Sequence, residues 1–197
     1  MYVSSLDYYE RRAAEYDQTS WEHPNGDPRL GEKVRDALAS LPPMATLDIG
    51  CGTGYLSRWL PGEVTLLDGS EAMLAIAAWR LPGAHVVIAQ VPPLPFASGS
   101  FGRAFAANLY GHLPAVARAE LIQEMRRVAD EIVILEQLAE DGRFREGPED
   151  RELLDGSRMT VHKCYFTVDQ LLREMGGGEV LMDGPVLAMI KAGQPPR

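Results

Sequence analysis

Short apolar runs alternate with amphipathic stretches along most of the chain after Ala45. Short apolar runs predict strands that are buried on both faces, whereas apolar residues at helical spacing predict the helices between them. Strands alternating with helices indicate parallel βαβ units and an α/β, doubly wound sheet. Asp183-Gly184 suits a tight turn, so the sheet should be mostly parallel and close with an antiparallel C-terminal hairpin strand. Seven strands are predicted, at residues 46–49, 64–67, 84–88, 103–107, 131–135, 179–182 and 185–191.

The pattern predicts one domain over residues 1–197, because this length fits a single α/β domain. Residues 1–43 form a helical lead-in with a polar break at 21–28, where His23 is interpreted as structural. Ser70 and Thr167 are predicted N-caps, since their hydroxyls can accept from the first turn of a helix. The charged segment 139–165 breaks the rhythm and is predicted to be a substrate cap. Helices are predicted at 7–16, 29–41, 55–60, 70–80, 114–129 and 167–175.

The charge of the chain narrows the classes of partner. Nineteen Lys and Arg against twenty-eight Asp and Glu give a net charge of −9. The resulting negative electrostatic field disfavours binding to DNA and to anionic membranes, whereas it is compatible with a cationic cofactor. Cys51 and Cys164 cannot form a disulfide framework or a four-thiolate zinc site. The histidines have no metal-ligand spacing, so no metal is expected. The N-terminus lacks a signal-peptide pattern and no apolar segment has spanning length, so a cytoplasmic protein is expected.

The most informative stretch is Leu47-Asp-Ile-Gly-Cys-Gly-Thr-Gly-Tyr55, a glycine loop between a predicted strand and helix. Glycine lets the backbone approach a ligand closely, and ligands of open parallel sheets bind at the carboxyl ends of the strands. The dinucleotide fingerprint G-x-G-x-x-G needs a third glycine at Tyr55, which counts against NAD. Asp48 near the loop favours a cationic ligand over a pyrophosphate.

Several stretches in order resemble class I S-adenosylmethionine-dependent methyltransferases of the small-molecule, quinone-biosynthesis type. Residues 47–55 resemble the first motif of that family, and 64–74 its second motif. Residues 94–101 are similar to the stretch before the fourth strand. Residues 8–17 and 165–172 resemble the N-terminal helix and the helix before the closing hairpin. The resemblance implies a Rossmann-like sheet, S-adenosylmethionine as cofactor and S-adenosylhomocysteine as product.

The resemblance also implies roles for individual residues. Gly50, Gly52 and Gly54 would contact the methionine part and the ribose, and Asp48 would lie near the ammonium group. Asp68 would accept hydrogen bonds from both ribose hydroxyls. Gln90 stands where the family often has an Asp, and Gly102 replaces another usual Asp. The other expected cofactor contacts are Tyr16, Cys51, Gly69, Met73, Val91 and Asn108.

The sequence carries two candidates for a catalytic base. A sulfonium is a good leaving group, so methyl transfer mainly needs positioning and desolvation, although an oxygen acceptor must still lose its proton. His112 follows the fourth strand and has an ordinary pKa near neutrality. Glu136 ends the fifth strand. Cationic side chains of the cap, among them Arg145 and Lys163, would suit an acidic or phenolate-like acceptor if the cap closes over the site.

The prediction is therefore methyl transfer to a small molecule, with oxygen as the first choice of acceptor atom. An RNA- or protein-directed methyltransferase is the alternative among enzymes, and a non-catalytic cofactor-binding scaffold is the alternative outside them. No motif specifies the acceptor or the oligomeric state.

Overall fold

The computed structural model describes residues 3–20 and 29–193, so the predicted turn at 21–28 and His23 lie outside the described residues. It contains the expected parallel-rich sheet, and the strands begin and end close to the predicted positions. The described residues contain nine strands, which are β1 Thr46–Ile49, β2 Val64–Asp68, β3 His85–Ile88, β4 Phe101–Ala107, β5 Ala129–Gln137, β6 Arg145–Glu152, β7 Arg158–Tyr165, β8 Glu179–Asp183 and β9 Leu187–Gly193.

Seven of these strands form one sheet in the order β3-β2-β1-β4-β5-β9-β8. Strands β1 to β5 run parallel to one another, and β9 runs antiparallel to both β5 and β8. This arrangement confirms the predicted mostly parallel sheet with an antiparallel hairpin at its end. After β3, at one edge of the sheet, the chain returns past β1 and forms β4 on the other side of β1. The strand order therefore reverses between β1 and β4, and the topological switch point lies at the carboxyl ends of these two strands.

Helices cover both faces of the sheet, and the central strands alternate between the two sides. Ile132 and Ile134 of β5 belong to the cluster that contains α5 and α6, whereas Val133 and Leu135 belong to the cluster that contains α3. This period of two is what a strand buried on both faces produces. The helices are α1 Val3–Arg12, α2 Tyr16–Ser20, α3 Leu30–Ala39, α4 Glu71–Arg80, α5 Ala115–Val128 and α6 Val168–Glu174.

Two predictions need correction. The helix predicted at 55–60 is wrong, since only a single 3₁₀ turn forms at Ser57–Trp59. The segment between the glycine loop and Pro61 is too short to offset the cost of helix nucleation. The N-terminal helix predicted at 7–16 is also broken, because a 3₁₀ turn at Ala13–Glu15 separates α1 from α2. Among the described residues, no helix has both the length and the apolar character needed to cross a membrane.

The segment at 139–165 contains two strands that its charged sequence did not predict. Strands β6 and β7 pair as an antiparallel hairpin, which forms a separate two-stranded sheet. Tyr8 of α1 is buried with Leu153 and Val161 in a small cluster between the helix and the hairpin. The main-chain N–H of Leu154 donates to the Glu15 carboxylate (2.9 Å). The hairpin is therefore joined to the N-terminal helices rather than to the large sheet alone.

Candidate active site

The glycine loop lies at the switch point of the sheet, directly after β1. Gly50, Gly52 and Gly54 all have positive φ, at 68°, 54° and 70°. The main-chain N–H groups of Gly50 and Cys51 both donate to the Leu67 carbonyl of β2 (2.7 and 3.0 Å). The loop thus turns back across the end of β2. L side chains rarely adopt this backbone conformation, which explains why glycine occupies all three positions.

The three glycines differ in what surrounds them. A Cβ on Gly54 would lie 3.0 Å from Leu81 and 3.2 Å from Ala77, so this position packs the loop against α4. A Cβ on Gly50 would meet the Leu109 side chain at 3.0 Å. A Cβ on Gly52 has no neighbour nearer than Tyr16 at 3.8 Å, because Gly52 faces a cavity. Gly50 also lines this cavity, but of the three glycines only Gly52 has an open Cβ position there.

Asp68 ends β2 beside the loop and is almost fully buried. Its two carboxylate oxygens accept from the main-chain N–H groups of Gly52 and Ser70, each at 2.9 Å. Burial raises the pKa of Asp68, and these N–H donors oppose that rise. The cavity that Asp68 lines also contains Gly52 and Met73. Ser70 accepts from the Met73 N–H, which confirms the predicted N-cap of α4.

Asp48 is the second buried carboxylate of the loop region. It is 2% exposed and accepts a 2.6 Å hydrogen bond from the Ser57 hydroxyl. Burial raises the pKa of Asp48 to about 7, with Ser57 opposing the shift and Asp68 adding to it. Asp48 and Cys51 line a small cavity on the other side of the loop. A cation placed there would lower the pKa of Asp48 and stabilise the ionised carboxylate.

Tyr16 lies between the cavities, since its ring lines both loop cavities and a larger one beside them. A polar network holds this part of the chain against the loop. The Asp17 carboxylate accepts from the Thr53 hydroxyl and from the Arg80 guanidinium, each at 2.5 Å, and Arg80 also donates to the Thr53 carbonyl (2.6 Å). Tyr16 was predicted from the sequence as a cofactor contact, but no sequence signal pointed to Asp17, Thr53 and Arg80, the three residues that position it.

Gly69, Gln90 and Val91 lie at the ends of β2 and β3, beside α1. A Cβ on Gly69 would lie 3.6 Å from Cγ of Gln90 and 3.4 Å from Leu6. The Gln90 side chain is exposed, whereas Val91 is buried in the core. None of the three lines the cavity that contains Asp68. Their contact with a cofactor stays a prediction.

Asn108 follows β4 and faces the same cavity as Asp68. It has a φ of 52°, and its main-chain N–H donates to the Leu135 carbonyl (2.9 Å). The side-chain oxygen of Asn108 is buried without a hydrogen-bond partner. A buried polar atom of this kind normally has a partner, so its orientation toward the cavity is typical of a ligand contact.

His112 is buried on a 3₁₀ turn after β4, and both of its ring nitrogens have partners. Nδ1 lies 2.8 Å from the His162 carbonyl, and Nε2 lies 2.8 Å from the Tyr9 hydroxyl. A carbonyl only accepts, so Nδ1 carries the proton and Nε2 accepts from Tyr9. Burial lowers the pKa of His112 well below its ordinary value, and Lys163 and Arg151 lower it further. His112 is therefore a neutral imidazole.

Glu136, the other predicted base, does not reach a cavity. It is fully buried at the end of β5, where it accepts from the Gly111 N–H (2.8 Å). The Lys163 ammonium lies 3.7 Å from the second carboxylate oxygen of Glu136. A Cβ on Gly111 would come within 2.9 Å of that carboxylate and 3.1 Å of the ammonium, so only glycine permits this pair. The geometry gives Glu136 a positioning role toward Lys163.

A cavity with a volume of about 150 Å³ lies between α1, the hairpin and the end of β4. Tyr9, Tyr16 and His112 line both this cavity and the one that holds Asp68, so the two adjoin. Three cationic side chains from α1 and the hairpin also line it, namely Arg12, Arg151 and Lys163. The site therefore has an acidic side at the loop and a basic side at the hairpin.

Two of the basic residues were missed by the sequence analysis. Tyr9, Arg12 and Tyr16 follow helical spacing, and this spacing is a signal that they share one face of the N-terminal helices. Arg151 lies on β6, which has no apolar alternation, so its place in the cavity could not be read from the sequence. Pro148 in the same strand is tolerated because a two-stranded sheet has only edge strands.

The hairpin also brings together Glu146, His162 and Cys164, whose possible ligand atoms lie within 4.8 Å of one another. The sequence spacing did not predict this group because Glu146 and Cys164 come from opposite strands. The Arg118 guanidinium donates to Cys164 Sγ (3.0 Å) and to Glu146 (3.3 Å). Burial raises the pKa of Cys164 to about 12. An internal cation already neutralises this group.

Comparisons with known proteins agree with this geometry. Residues 46–131 match the family model described as a methyltransferase domain. Two relatives are named malonyl-(acyl-carrier protein) O-methyltransferase. The one from Erwinia pyrifoliae is 34% identical over 124 residues, which cover 60% of this chain and 44% of the relative. The one from Serratia marcescens is 33% identical over 103 residues, which cover 49% and 40%. The chain thus aligns with less than half the length of these relatives.

Solved structures share the fold over nearly the whole chain. DhpI, solved as a complex with SAM and HEP, is 23% identical and superimposes with a TM-score of 0.79, covering 96% of each chain. An S-adenosylmethionine-dependent methyltransferase from Mesorhizobium loti is 20% identical, with a TM-score of 0.61 over 86% of this chain and 99% of the other. At these identities the likeness establishes the fold.

Proposed function

We propose that this chain is a class I S-adenosylmethionine-dependent methyltransferase, which binds S-adenosylmethionine at the glycine loop and transfers its methyl group to an oxygen atom of a small molecule. The observation that carries the proposal is the pair of buried carboxylates, Asp48 and Asp68, on either side of an open Gly52. Buried anions at this point favour a cofactor with an ammonium and a sulfonium, and they disfavour the pyrophosphate of NAD.

Each residue at the loop is proposed to contact a different part of the cofactor. Asp68 holds the ribose hydroxyls, since its oxygens are already oriented by two main-chain N–H groups. Asp48 attracts the ammonium group. Gly52 lets the backbone approach, and Met73 packs near the adenine. The buried oxygen of Asn108 accepts from a donor of the bound cofactor.

The bound cofactor supplies an electrophilic methyl group on a sulfonium. The protein's task is then to place an acceptor oxygen in line with that methyl group and to exclude water. Tyr9 and His112 lie where the loop cavity adjoins the larger one. His112 is neutral and its Nε2 accepts from the Tyr9 hydroxyl, so an acceptor that arrives protonated would pass its proton to Nε2 through Tyr9. The relatives' name specifies O-methylation, which supports oxygen as the acceptor atom.

Isothermal titration calorimetry tests the proposal. S-adenosylmethionine and S-adenosylhomocysteine should bind saturably, whereas NAD should not bind. Binding without methyl transfer to any small acceptor would favour a non-catalytic scaffold. Transfer only to RNA or to a protein would favour the macromolecular alternative. Binding of NAD in preference to S-adenosylmethionine would contradict the cofactor assignment.

A further inference from the structure

We propose that the methyl acceptor is a small oxyanion, a carboxylate or a phosphonate, which the basic side of the site holds through Arg12, Arg151 and Lys163. The inference rests on the proposed function, because it concerns the second substrate of the same site. It assigns a substrate class and three binding residues to the larger cavity.

The charges that face this cavity are of one sign. Its described lining includes three cations and three tyrosines but no Asp or Glu. Two of these cations are close to carboxylates, since Glu149 pairs with Arg151 (2.9 Å) and Glu136 lies 3.7 Å from Lys163. Neither carboxylate lines this cavity, although Glu149 lines a neighbouring cavity together with Lys163. The cavity between α1 and the hairpin is therefore lined by the cations and not by the carboxylates that compensate them.

Lys163 gives the strongest indication of a ligand. Its side chain is 1% exposed, and its ammonium has no hydrogen-bond partner. A buried ammonium normally makes hydrogen bonds, because removing it from water without them is costly. Glu136 holds Lys163 in place electrostatically, but at 3.7 Å it is beyond hydrogen-bond distance. An oxyanion in the cavity would supply the missing acceptor.

Arg12 and Arg151 reach the cavity from different elements, α1 and β6. Arg12 donates to the Thr19 and Ser20 hydroxyls (2.9 and 2.8 Å), and its guanidinium lies 4.9 Å from the centre of the Tyr16 ring. Arg151 reaches the cavity from β6. The lowered pKa of His112, to which Lys163, Arg151 and Arg12 all contribute, supports the convergence of the three charges. Burial is the main reason that the pKa of His112 is lowered, and the cations that would attract an anion lower it further.

An oxyanion acceptor simplifies the chemistry of this site. Its charged group has more than one oxygen, so one oxygen can bind the cations while another faces the methyl group. An O–C bond forms as the C–S bond breaks, and the electron pair of the C–S bond stays on sulfur. A monoanionic acceptor is thereby converted to a neutral methyl ester, and the sulfonium is converted to a thioether. No proton is released. His112 then serves as a hydrogen-bond partner of Tyr9, and no base is required.

Direct binding of simple anions tests the proposal. Malonate and methylphosphonate are titrated calorimetrically with and without S-adenosylhomocysteine, and malonamide is the neutral control. At least one anion should bind ten times more tightly than malonamide. Arg151→Gln should weaken that anion about tenfold, since a hydrogen bond to a charged group is lost. Arg158→Gln removes the same charge from an exposed site on the same hairpin and should change the affinity less than twofold.

Lys163 needs a paired variant because removing it alone leaves Glu136 buried and uncompensated. Lys163→Met combined with Glu136→Gln removes both charges and should still lose anion binding at least tenfold. Equal binding of malonate and malonamide would overturn the proposal. Equal weakening by Arg151→Gln and Arg158→Gln would also overturn it, because the effect would then be a general surface charge effect.

A methyl-transfer assay distinguishes a carboxylate acceptor from a phosphonate acceptor. Together with the binding data, it also distinguishes failure of the oxyanion proposal from failure of the proposed function. With radiolabelled S-adenosylmethionine, a methyl carboxylate ester releases labelled methanol in mild alkali, whereas a methyl phosphonate ester retains the label. Anion binding with no S-adenosylhomocysteine binding would contradict the proposed function. S-adenosylhomocysteine binding without selective anion binding would contradict only the oxyanion assignment.

Discussion

The two sides of the site carry opposite charges and come from different parts of the chain. The cofactor side is built from the ends of β1 and β2, where Asp48 and Asp68 are buried beside the glycine loop. The proposed acceptor side is built from α1 and the β6–β7 hairpin, which supply Arg12, Arg151 and Lys163. The switch point of the sheet positions the first, whereas the second depends on contacts between segments far apart in sequence.

This difference explains how one acidic chain can hold a cation and an anion next to each other. Net charge acts at long range and is screened by salt, but buried groups at short range decide what each side of the cavity binds. Variants on one side should therefore leave the other ligand almost unaffected. Five predictions test how each side of the site is built, in order of decreasing effect.

Asp68→Ala should produce the largest change. Two hydrogen bonds from the ribose to a charged acceptor are lost, each contributing about 1.5–3 kcal/mol, so the Kd of S-adenosylhomocysteine should rise at least 100-fold. Glu71→Ala, which changes an exposed carboxylate of the next helix, should leave the Kd within twofold. Circular dichroism and thermal melting check that the variant folds. Affinity as tight as in the unchanged protein would contradict the ribose assignment.

Asp48→Asn should weaken cofactor binding about tenfold and change its pH dependence. Because the pKa of Asp48 is about 7, the unchanged protein should lose affinity for S-adenosylhomocysteine between pH 7.5 and pH 6 as the carboxyl gains a proton. The variant should show little change over that range. Calorimetry at both pH values makes the comparison, and identical pH dependence in both proteins would refute the ammonium assignment.

The same substitution should stabilise the ligand-free protein at high pH. Burial raises the folded-state pKa of Asp48 from 3.8 to about 7, so ionisation disfavours the folded state progressively as pH rises through this interval. Asn removes the charge and retains an acceptor for Ser57. The gain should reach a few kcal/mol above pH 7 and vanish toward pH 4, as measured by urea unfolding.

Gly54→Ala and Gly52→Ala should separate packing from binding. Both have positive φ and should lose about 1 kcal/mol of stability from backbone strain. Gly54→Ala should lose more, because its Cβ would lie 3.0 Å from Leu81. Gly52→Ala should lose more cofactor affinity, since its Cβ enters the cavity. Urea unfolding measures the stability of both variants, and calorimetric titration measures their cofactor affinity. A larger stability loss in Gly52→Ala together with a larger affinity loss in Gly54→Ala would contradict this account.

Tyr9→Phe should have the smallest effect and should act only on the acceptor side. It removes the hydroxyl that donates to His112 Nε2, so the free energy of unfolding should fall by about 1 kcal/mol. Affinity for the better of malonate and methylphosphonate should fall by less than fivefold. Affinity for S-adenosylhomocysteine should stay within twofold. A large loss of cofactor affinity would show that the two sides are not independent.

The sequence predicted the cofactor side because local signals determine it. A glycine turn after one buried strand and an acidic residue at the end of the next are short-range features, and parallel strands bring their carboxyl ends to one edge. The same logic located Asn108 and His112 after β4. Gln90 and Val91 were predicted as cofactor contacts at the end of β3, but neither lines the cavity of Asp68.

The acceptor side could be predicted only in part because long-range contacts determine it. Lys163 was recognised as a cationic residue of a cap, but its burial beside Glu136 depends on the close approach that Gly111 allows. Arg151 lies on a polar strand whose formation depends on pairing with β7. Glu136 was predicted as a base because it ends a central strand, and its pairing with Lys163 could not be inferred from spacing.

One crossed titration tests the charge-divided site most directly. Asp68→Ala and Arg151→Gln are each titrated with S-adenosylhomocysteine and with the better-binding of malonate and methylphosphonate. The account predicts that Asp68→Ala loses S-adenosylhomocysteine and keeps the anion within twofold, while Arg151→Gln does the reverse. Loss of both ligands in either folded variant, or loss of neither, would contradict it.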